Sequence, residues 1–182
     1  MGLNSTSPLH GASSSATKTN LTRGWLAMLM VFPWIAPWSP APQANTVPLL
    51  ISWACMALLL LQAHRLQPLD IARAWAVAAL LSSVMALVQY FGLATPWGDL
   101  LHVTALGEAN ANLRQRNQLA TLLGIGLLAV LWWQAHGLRT RHALWMLALL
   151  AVANAATTSR TGVLHMVCLL YTSDAADDTP CV

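Results

Sequence analysis

Charged residues are scarce in this chain. Only 8% of its 182 residues are charged, whereas 57% are hydrophobic. A soluble domain has about 25% charged residues, so the composition excludes an ordinary soluble protein and predicts a membrane protein. Phenylalanine and tyrosine are also rare, with two of each, but there are nine tryptophans. Tryptophan favours the membrane interface, where its ring is in an apolar layer and its N–H reaches water.

Acidic residues are few and unevenly placed. The chain has six, and Asp174, Asp177 and Asp178 lie within its last nine residues. Without these three, nine basic residues face three acids, which leaves a formal net charge of +6. The basic residues form no run interleaved with aromatic residues, as a nucleic-acid groove would need. The charge therefore indicates membrane topology, and no nucleic-acid partner is predicted.

Cysteine is also rare, and two of the three cysteines belong to an unusual C-terminal segment. The stretch CLLYTSDAADD, residues 168–178, resembles a translated sequencing-library adapter. We therefore predict that residues 168–182 are a non-native tail and that the native gene continues beyond residue 167; the alternative is a genuine polar tail. Cys55 is then the only native cysteine, which excludes a disulfide or a cysteine-based metal site. No cofactor and no metal are predicted.

The remaining chain divides into two regions. Residues 1–20 are rich in Ser, Thr and Asn and are predicted to be a disordered cytoplasmic N-terminus. Residues 21–167 contain five apolar runs of roughly the 17–25 residues that a bilayer needs, the first of them only if its flanks are counted. These runs are Gly24–Trp38, Val47–Ala63, Ile71–Leu93, Asn117–His136 and His142–Thr158, and a sixth begins at Thr161. The sequence predicts an all-α, polytopic transmembrane protein with five complete spans and a truncated sixth.

Basic residues predict the orientation of these spans. If the chain alternates across the membrane, six basic residues share one side: Lys18, Arg23, Arg65, Arg73, Arg139 and Arg141. Arg114, Arg116 and Arg160 fall on the other side. Because cytoplasmic loops carry the excess of Lys and Arg, we predict a multi-pass protein of the bacterial inner membrane with its N-terminus in the cytoplasm.

The three outward arginines lie in two polar segments. The first is GEANANLRQRNQLATLLGIG, residues 107–126, and the second is NAATTSRTG, residues 154–162. A helix N-terminus attracts anions, Arg gives bidentate donors that fit phosphate, and amides suit sugar hydroxyls. The alternative is that Asn caps the helices and that Arg reaches lipid headgroups. The pair Gly124-x-Gly126 lacks the strand of a nucleotide loop and predicts close helix approach instead.

Three stretches carry a family resemblance. VQYFGL, NLRQRNQLATLL and TTSRTGVL, in this order, resemble the O-antigen ligase superfamily of bacterial inner-membrane proteins. The chain is most similar to the protein O-oligosaccharyltransferase branch, the pilin glycosylation ligases. The resemblance spreads over residues 24–167. It departs from the pattern of that branch at Arg116, where proline is common.

The resemblance implies a reaction and its partners. Such enzymes transfer a glycan from an undecaprenyl-diphosphate carrier to Ser or Thr of an acceptor protein such as a pilin, at the periplasmic face and in contact with membrane lipid. Neither a nucleotide nor an obligatory metal takes part. The implied substrate-binding residues are Arg114, Gln115, Asn117 and Gln118 at the acceptor or glycan entrance, and Ser159 and Arg160, with Arg160 approaching the diphosphate.

The resemblance also implies that catalytic residues lie elsewhere. The family carries its acceptor-activating histidine on a large periplasmic loop in its second half, beyond the end of this chain. We expect none of the six histidines here to replace it, so this part of the enzyme is predicted to be inactive alone. Three other functions stay open: an O-antigen ligase or polymerase of lipopolysaccharide synthesis, a polytopic transporter, and a membrane scaffold.

Overall fold

The fold consists of helices throughout the residues that the structure describes. This structure is a computed structural model, and it describes residues 10–36, 46–98 and 100–177. Its helices are α1 (His10–Ile35), α2 (Thr46–Leu61), α3 (Pro68–Tyr90), α4 (Arg116–Ala135), α5 (Thr140–Ala156) and α6 (Arg160–Asp177). Short 3-10 turns occur at Ala63–Arg65, Thr95–Trp97 and Ala111–Leu113. The prediction of an all-α chain is confirmed for these residues.

Helix boundaries follow local chemistry. Pro68 opens α3 at its first helical position, where the missing N–H is not needed. The chain leaves α3 through Gly92, whose φ of 70° is in the left-handed region that glycine adopts without strain. Gly137, with φ of 111°, does the same between α4 and α5. Where the structure describes them, the five predicted apolar runs coincide with α1 to α5, and their ends differ from the helix ends by a few residues.

The two terminal helices extend beyond the predicted helical region of residues 21–167. α1 begins at His10, inside the segment predicted to be disordered. Once a helix has formed, each further residue adds a hydrogen bond without a second nucleation cost. A flanking segment rich in Ser and Ala can therefore extend an apolar helix. α6 continues past Cys168 to Asp177; whether residues 168–182 are native stays a prediction. Residues 1–9, 37–45, 99 and 178–182 lie outside the described residues.

Two helices are long and apolar enough to cross a membrane. They are α3, with 23 residues, and α4, with 20 residues. The apolar part of α1, Leu21–Ile35, and α2 are shorter apolar helices, and α5 has 17 residues. The structure therefore supports two of the five predicted spans by length and composition, within the residues it describes.

The core lies between α3 and α4, which form the most extensive helix pair. α3 contributes small buried side chains, among them Ala76 and Ala79, and α4 contributes Leu119 and Leu123. Full burial of one leucine contributes about 1.5–3 kcal/mol. A side chain at Gly126 would collide with Ala79, which confirms that the predicted glycine pair permits close helix approach.

The helices alternate in direction, so the bundle has two distinct ends. The loop end gathers the C-terminus of α3, the segment 91–115 and the α5–α6 turn. At the opposite end, the Asp70 carboxylate lies 3.6 Å from the Arg23 guanidinium and 3.7 Å from that of Arg73. Arg73 also lies over the Trp133 ring, 5.5 Å from its centroid. Arg23 and Arg73 therefore lie at the same end of the bundle; that this end faces the cytoplasm stays a prediction.

Candidate functional site at the loop end

Gln89 anchors the long loop to α3. It is fully buried in the last turn of that helix. Its Nε2 donates to the carbonyl oxygens of His102, at 2.6 Å, and Ala111, at 3.0 Å. Its Oε1 accepts from the backbone N–H groups of Asn110, at 3.0 Å, and Ala111, at 2.7 Å. Since a glutamine amide has two donors and one oxygen with two lone pairs, these contacts use its full capacity.

Asn112 makes a second set of contacts from the loop itself. Its Oδ1 accepts from the backbone N–H of His102 at 3.0 Å. Its Nδ2 donates to the carbonyl oxygens of Ile35 and Leu100, each at 2.9 Å. Ile35 is the last residue of α1, so the Asn112 side chain also connects the first helix to the loop. Each net hydrogen bond contributes about 0.5–1.5 kcal/mol.

The loop contains two non-glycine residues in the left-handed region. They are Ala111, with φ of 48°, and Arg114, with φ of 58°. Such a conformation costs on the order of 1–2 kcal/mol per residue, and it persists only where neighbouring contacts determine it. Ala111 is fully buried and held by Gln89, whereas Arg114 is half-buried immediately before α4. The strained backbone therefore sets the direction in which the Arg114 side chain leaves the loop.

His102 titrates differently from a free histidine. Burial, and then the nearby charge of Arg114, lower the pKa of His102 below its ordinary value of 6.5. Both causes favour the neutral imidazole, because burial and a neighbouring cation disfavour a second positive charge. At neutral pH, Arg114 is therefore the cation of this pair.

A long groove starts beside these residues. It has a volume of about 1480 Å³ and is lined by residues of α1, α2, α3 and α4. Its polar lining at the loop end comprises Asn112, Arg114, Gln115, Asn117, Gln118 and Thr121. Its apolar lining includes Leu29, Met30, Trp34, Leu49, Met56 and Leu59, and it reaches Leu66 and Ile71 at the opposite end. We refer to this feature as the central groove.

Helical periodicity explains why α4 presents polar groups to the central groove. Asn117, Gln118 and Thr121 share one face of its first turns, and Leu122 and Ile125 continue that face deeper in the bundle. The opposite face carries buried residues such as Leu119 and Leu123. One helix thus provides both a packing surface and a groove wall that changes from polar to apolar.

The α5–α6 turn joins this wall through one direct hydrogen bond. The Ser159 hydroxyl donates to Asn117 Oδ1 at 2.8 Å. Ser159 is itself positioned by its backbone N–H, which donates to the Thr157 hydroxyl at 3.3 Å. Asn154 donates from Nδ2 to the Gly162 carbonyl at 3.1 Å, and a side chain at Gly162 would collide with Asn154. The two predicted polar segments therefore meet in the structure.

The predicted substrate-binding residues occupy different positions at this end. Arg114, Gln115, Asn117 and Gln118 all line the central groove. Ser159 is buried against Asn117. Arg160 is exposed at the first position of α6, and the groove wall at this point is formed by its neighbour Thr161. The substrate roles of these six residues remain predictions.

Arg116, the departure from the family pattern, lies at the first position of α4. Proline is favoured at that position because the first N–H of a helix has no intrahelical acceptor. The preceding Gln115 has φ of −137° and ψ of 116°, the extended conformation that a following proline imposes. The backbone therefore has the shape of the proline-containing pattern although this chain has arginine.

Comparison with known proteins gives a family match over part of this site. Residues 109–133 match the family model of protein glycosylation ligases. The match covers the end of the loop and nearly all of α4, the helix whose first turns form the polar part of the central groove wall. It supports the O-oligosaccharyltransferase family, points to protein glycosylation ligase function in general, and implies a glycan and an acceptor protein as partners. No curated protein and no solved structure matches the chain.

The sequence analysis did not identify the residues that hold the loop. Gln89 lies in an apolar run. A glutamine at such a position could have indicated a structural role, because a polar amide within a span must find hydrogen-bond partners. Asn112 was assigned to a polar cluster without a role of its own. Among the described residues, no three His, Cys, Asp or Glu side chains are grouped so that they could hold a metal ion.

Proposed function

We propose that this chain forms the part of a membrane glycosyltransferase that binds a lipid-linked glycan donor at the periplasmic face. The donor is an undecaprenyl-diphosphate-linked glycan, and the enzyme transfers the glycan to Ser or Thr of an acceptor protein such as a pilin. The protein spans the bacterial inner membrane several times, with its N-terminus in the cytoplasm. The chain contributes donor binding.

The observation that carries this proposal is the change of polarity along the central groove. Its loop end offers Arg114 and amides from Gln115 to Gln118, and its deeper part is apolar. A polyprenyl diphosphate has the same order of properties, with an anionic head and a long hydrocarbon chain. Burying each CH₂ of that chain contributes about 0.8 kcal/mol.

Arg114 suits the diphosphate head. Its guanidinium supplies bidentate donors that fit phosphate oxygens, and the N-terminus of α4 lies two residues further along the chain. That helix end adds free N–H groups and the positive end of the helix dipole. Arg160 at the start of α6 is a second cation at this end of the bundle. The leaving diphosphate would thus be neutralised without a nucleotide or a metal.

The outer surface of the helices supports a membrane location. Large apolar side chains are exposed on several helices, including Trp53 at 70% and Trp145 at 78%. Exposed apolar patches of this extent are unusual on soluble monomers. A bilayer would cover them, and α3 and α4 meet the length and composition of membrane spans.

A binding experiment on the whole chain tests the proposal. The protein is reconstituted in lipid nanodiscs, and its affinity is measured for undecaprenyl diphosphate, undecaprenyl phosphate and undecaprenol. We expect the diphosphate to bind most tightly. Arg114→Gln should weaken diphosphate binding by roughly 10- to 100-fold, the effect of losing a charged hydrogen bond. The affinity for undecaprenol should stay unchanged.

Arg139→Gln is the control, because Arg139 is also an arginine immediately before a helix but lies at the opposite end. It should leave diphosphate binding as in the parent protein. Equal affinity for undecaprenol and undecaprenyl diphosphate would contradict the proposal. So would an equal loss of affinity in Arg114→Gln and Arg139→Gln, because general membrane electrostatics would then explain the binding.

A further inference from the structure

The contacts of the long loop indicate a role for a residue that does not touch the groove. Gln89 is fully buried in α3, yet all of the hydrogen bonds of its side-chain amide are to the backbone of the loop. It accepts from the N–H of Ala111 at 2.7 Å and donates to the carbonyl of the same residue at 3.0 Å. A side chain that binds both the N–H and the C=O of one residue contacts the two peptide units on either side of that residue and so fixes its backbone orientation.

We propose that Gln89 is a positioning residue for lipid-diphosphate binding, because it holds the loop so that Arg114 enters the central groove in a fixed direction. This inference rests on the proposed function. Gln89 acts on Ala111, and Arg114 follows three residues later. Both residues adopt left-handed backbone conformations, which the loop would leave if its anchor were lost.

The position of His102 supports the same arrangement. Its carbonyl accepts from Gln89 at 2.6 Å, and its N–H donates to Asn112 at 3.0 Å. The two amides thus hold one peptide segment from both sides. Burial and the charge of Arg114 lower the pKa of the His102 imidazole, so the titration of this ring reports on its burial and on the position of Arg114. Loss of the Gln89 contacts would separate His102 from Arg114.

A double-mutant cycle distinguishes positioning from a general effect on the fold. Gln89→Met keeps the size of the side chain and removes its hydrogen bonds. We expect it to weaken undecaprenyl diphosphate binding roughly tenfold. If Gln89 acts through Arg114, the variant Gln89→Met with Arg114→Gln binds as weakly as Arg114→Gln alone. Independent, multiplicative losses in the double variant would overturn the proposal.

Ser83→Ala is the matched control in the same helix. Ser83 is also fully buried, but its hydroxyl donates within α3 to the Ala79 carbonyl at 2.8 Å. It should leave diphosphate binding and the loop unchanged. If Gln89→Met does not fold, Gln89→Glu replaces it, because a buried carboxyl group between two carbonyl oxygens is protonated. It still accepts from the N–H groups of Asn110 and Ala111 but can donate to only one of the two carbonyls.

Two ligand-free measurements separate this inference from the proposed function. Hydrogen exchange of the amides of residues 102–112 should be faster in Gln89→Met, while the α3–α4 core keeps its protection. The pKa of His102, followed by NMR, should rise toward its ordinary value. If the parent protein does not bind undecaprenyl diphosphate, the proposed function fails. If loop exchange and the His102 pKa are both unchanged in Gln89→Met, the positioning role fails.

Discussion

The Ser159 hydroxyl donates a hydrogen bond of 2.8 Å to the Asn117 carboxamide oxygen, across 42 positions of sequence. This contact joins the first turn of α4 to the turn that leads into α6. Asn117 also accepts, through its backbone carbonyl, from the Thr121 hydroxyl at 3.0 Å. The two polar segments are therefore one structural unit at the loop end.

The first prediction concerns this bond. Ser159→Ala should lower the free energy of unfolding by about 1 kcal/mol, because it removes one partly buried hydrogen bond. Thermal unfolding in detergent measures the change. Asn117→Ala should cost a similar amount, and the two losses should not add, since both variants break the same bond. Full additivity in the double variant would contradict a shared contact.

The second prediction concerns the departure from the family pattern. Arg116→Pro should leave the free energy of unfolding unchanged or raise it by about 0.4–1 kcal/mol, because the backbone at Gln115 and Arg116 already suits proline. Thr121→Pro, inside α4, is the control and should cost about 3 kcal/mol or more. Thermal unfolding of both variants checks this. A large loss in Arg116→Pro would mean that the first turn of α4 needs the N–H or side chain of Arg116.

The third prediction concerns the contact between α3 and α4. Gly126→Ala should destabilise the protein by about 1–3 kcal/mol, because the new Cβ would collide with Ala79 in a packed core. Gly24→Ala in α1 is the matched control, since a Cβ there meets nothing within 4 Å. It should be neutral or stabilise by about 0.5–1 kcal/mol. Equal effects of the two substitutions in thermal unfolding would argue against close packing at Gly126.

The fourth prediction concerns pH. The pKa of His102 is lower in the folded protein than its ordinary value of 6.5, so the unfolded chain binds this proton more readily. The resulting stability is fully present above about pH 6.5 and is lost as the pH falls through the folded pKa. Unfolding of the parent protein and of His102→Gln is compared between about pH 7.5 and about pH 5, a range that includes that value. The parent should lose stability relative to His102→Gln on acidification, and a constant difference would contradict the lowered pKa.

The fifth prediction concerns membrane orientation. In a background in which all three cysteines of the chain are replaced, Leu106→Cys places a thiol at the loop end, where Leu106 is 79% exposed. Arg139→Cys places one at the opposite end. A membrane-impermeant maleimide should label Leu106→Cys from the periplasm, and Arg139→Cys only after the inner membrane is opened. Labelling of both from the same side would exclude the proposed topology.

The sequence predicted the helices well because their causes are local. Long apolar runs, Pro68 at a helix start and Gly92 and Gly137 at helix ends determine boundaries through backbone chemistry alone. The apolar composition likewise predicted a membrane protein, which stays a proposal. The start of α1 at His10 differs from the prediction, because helix extension depends on the neighbouring turn as well as on composition.

The candidate site was also predictable from the sequence only in part. The residue pattern predicted an anion site around Arg114 and the amides from Gln115 to Gln118, with helix capping and lipid-headgroup contact as the alternative. Their substrate roles were implied by the family resemblance and stay predictions. Only the tertiary structure decided that Gln89 binds the loop, that Asn112 reaches the end of α1 and that Ser159 meets Asn117. These contacts join residues 13 to 77 positions apart. The sequence alone determined which polar groups are present, whereas the packing of the helices decided which of them form hydrogen bonds or line the same groove. A hydrogen bond requires a distance of about 3 Å between its two atoms, and a local sequence pattern does not give the distance between residues far apart in the chain.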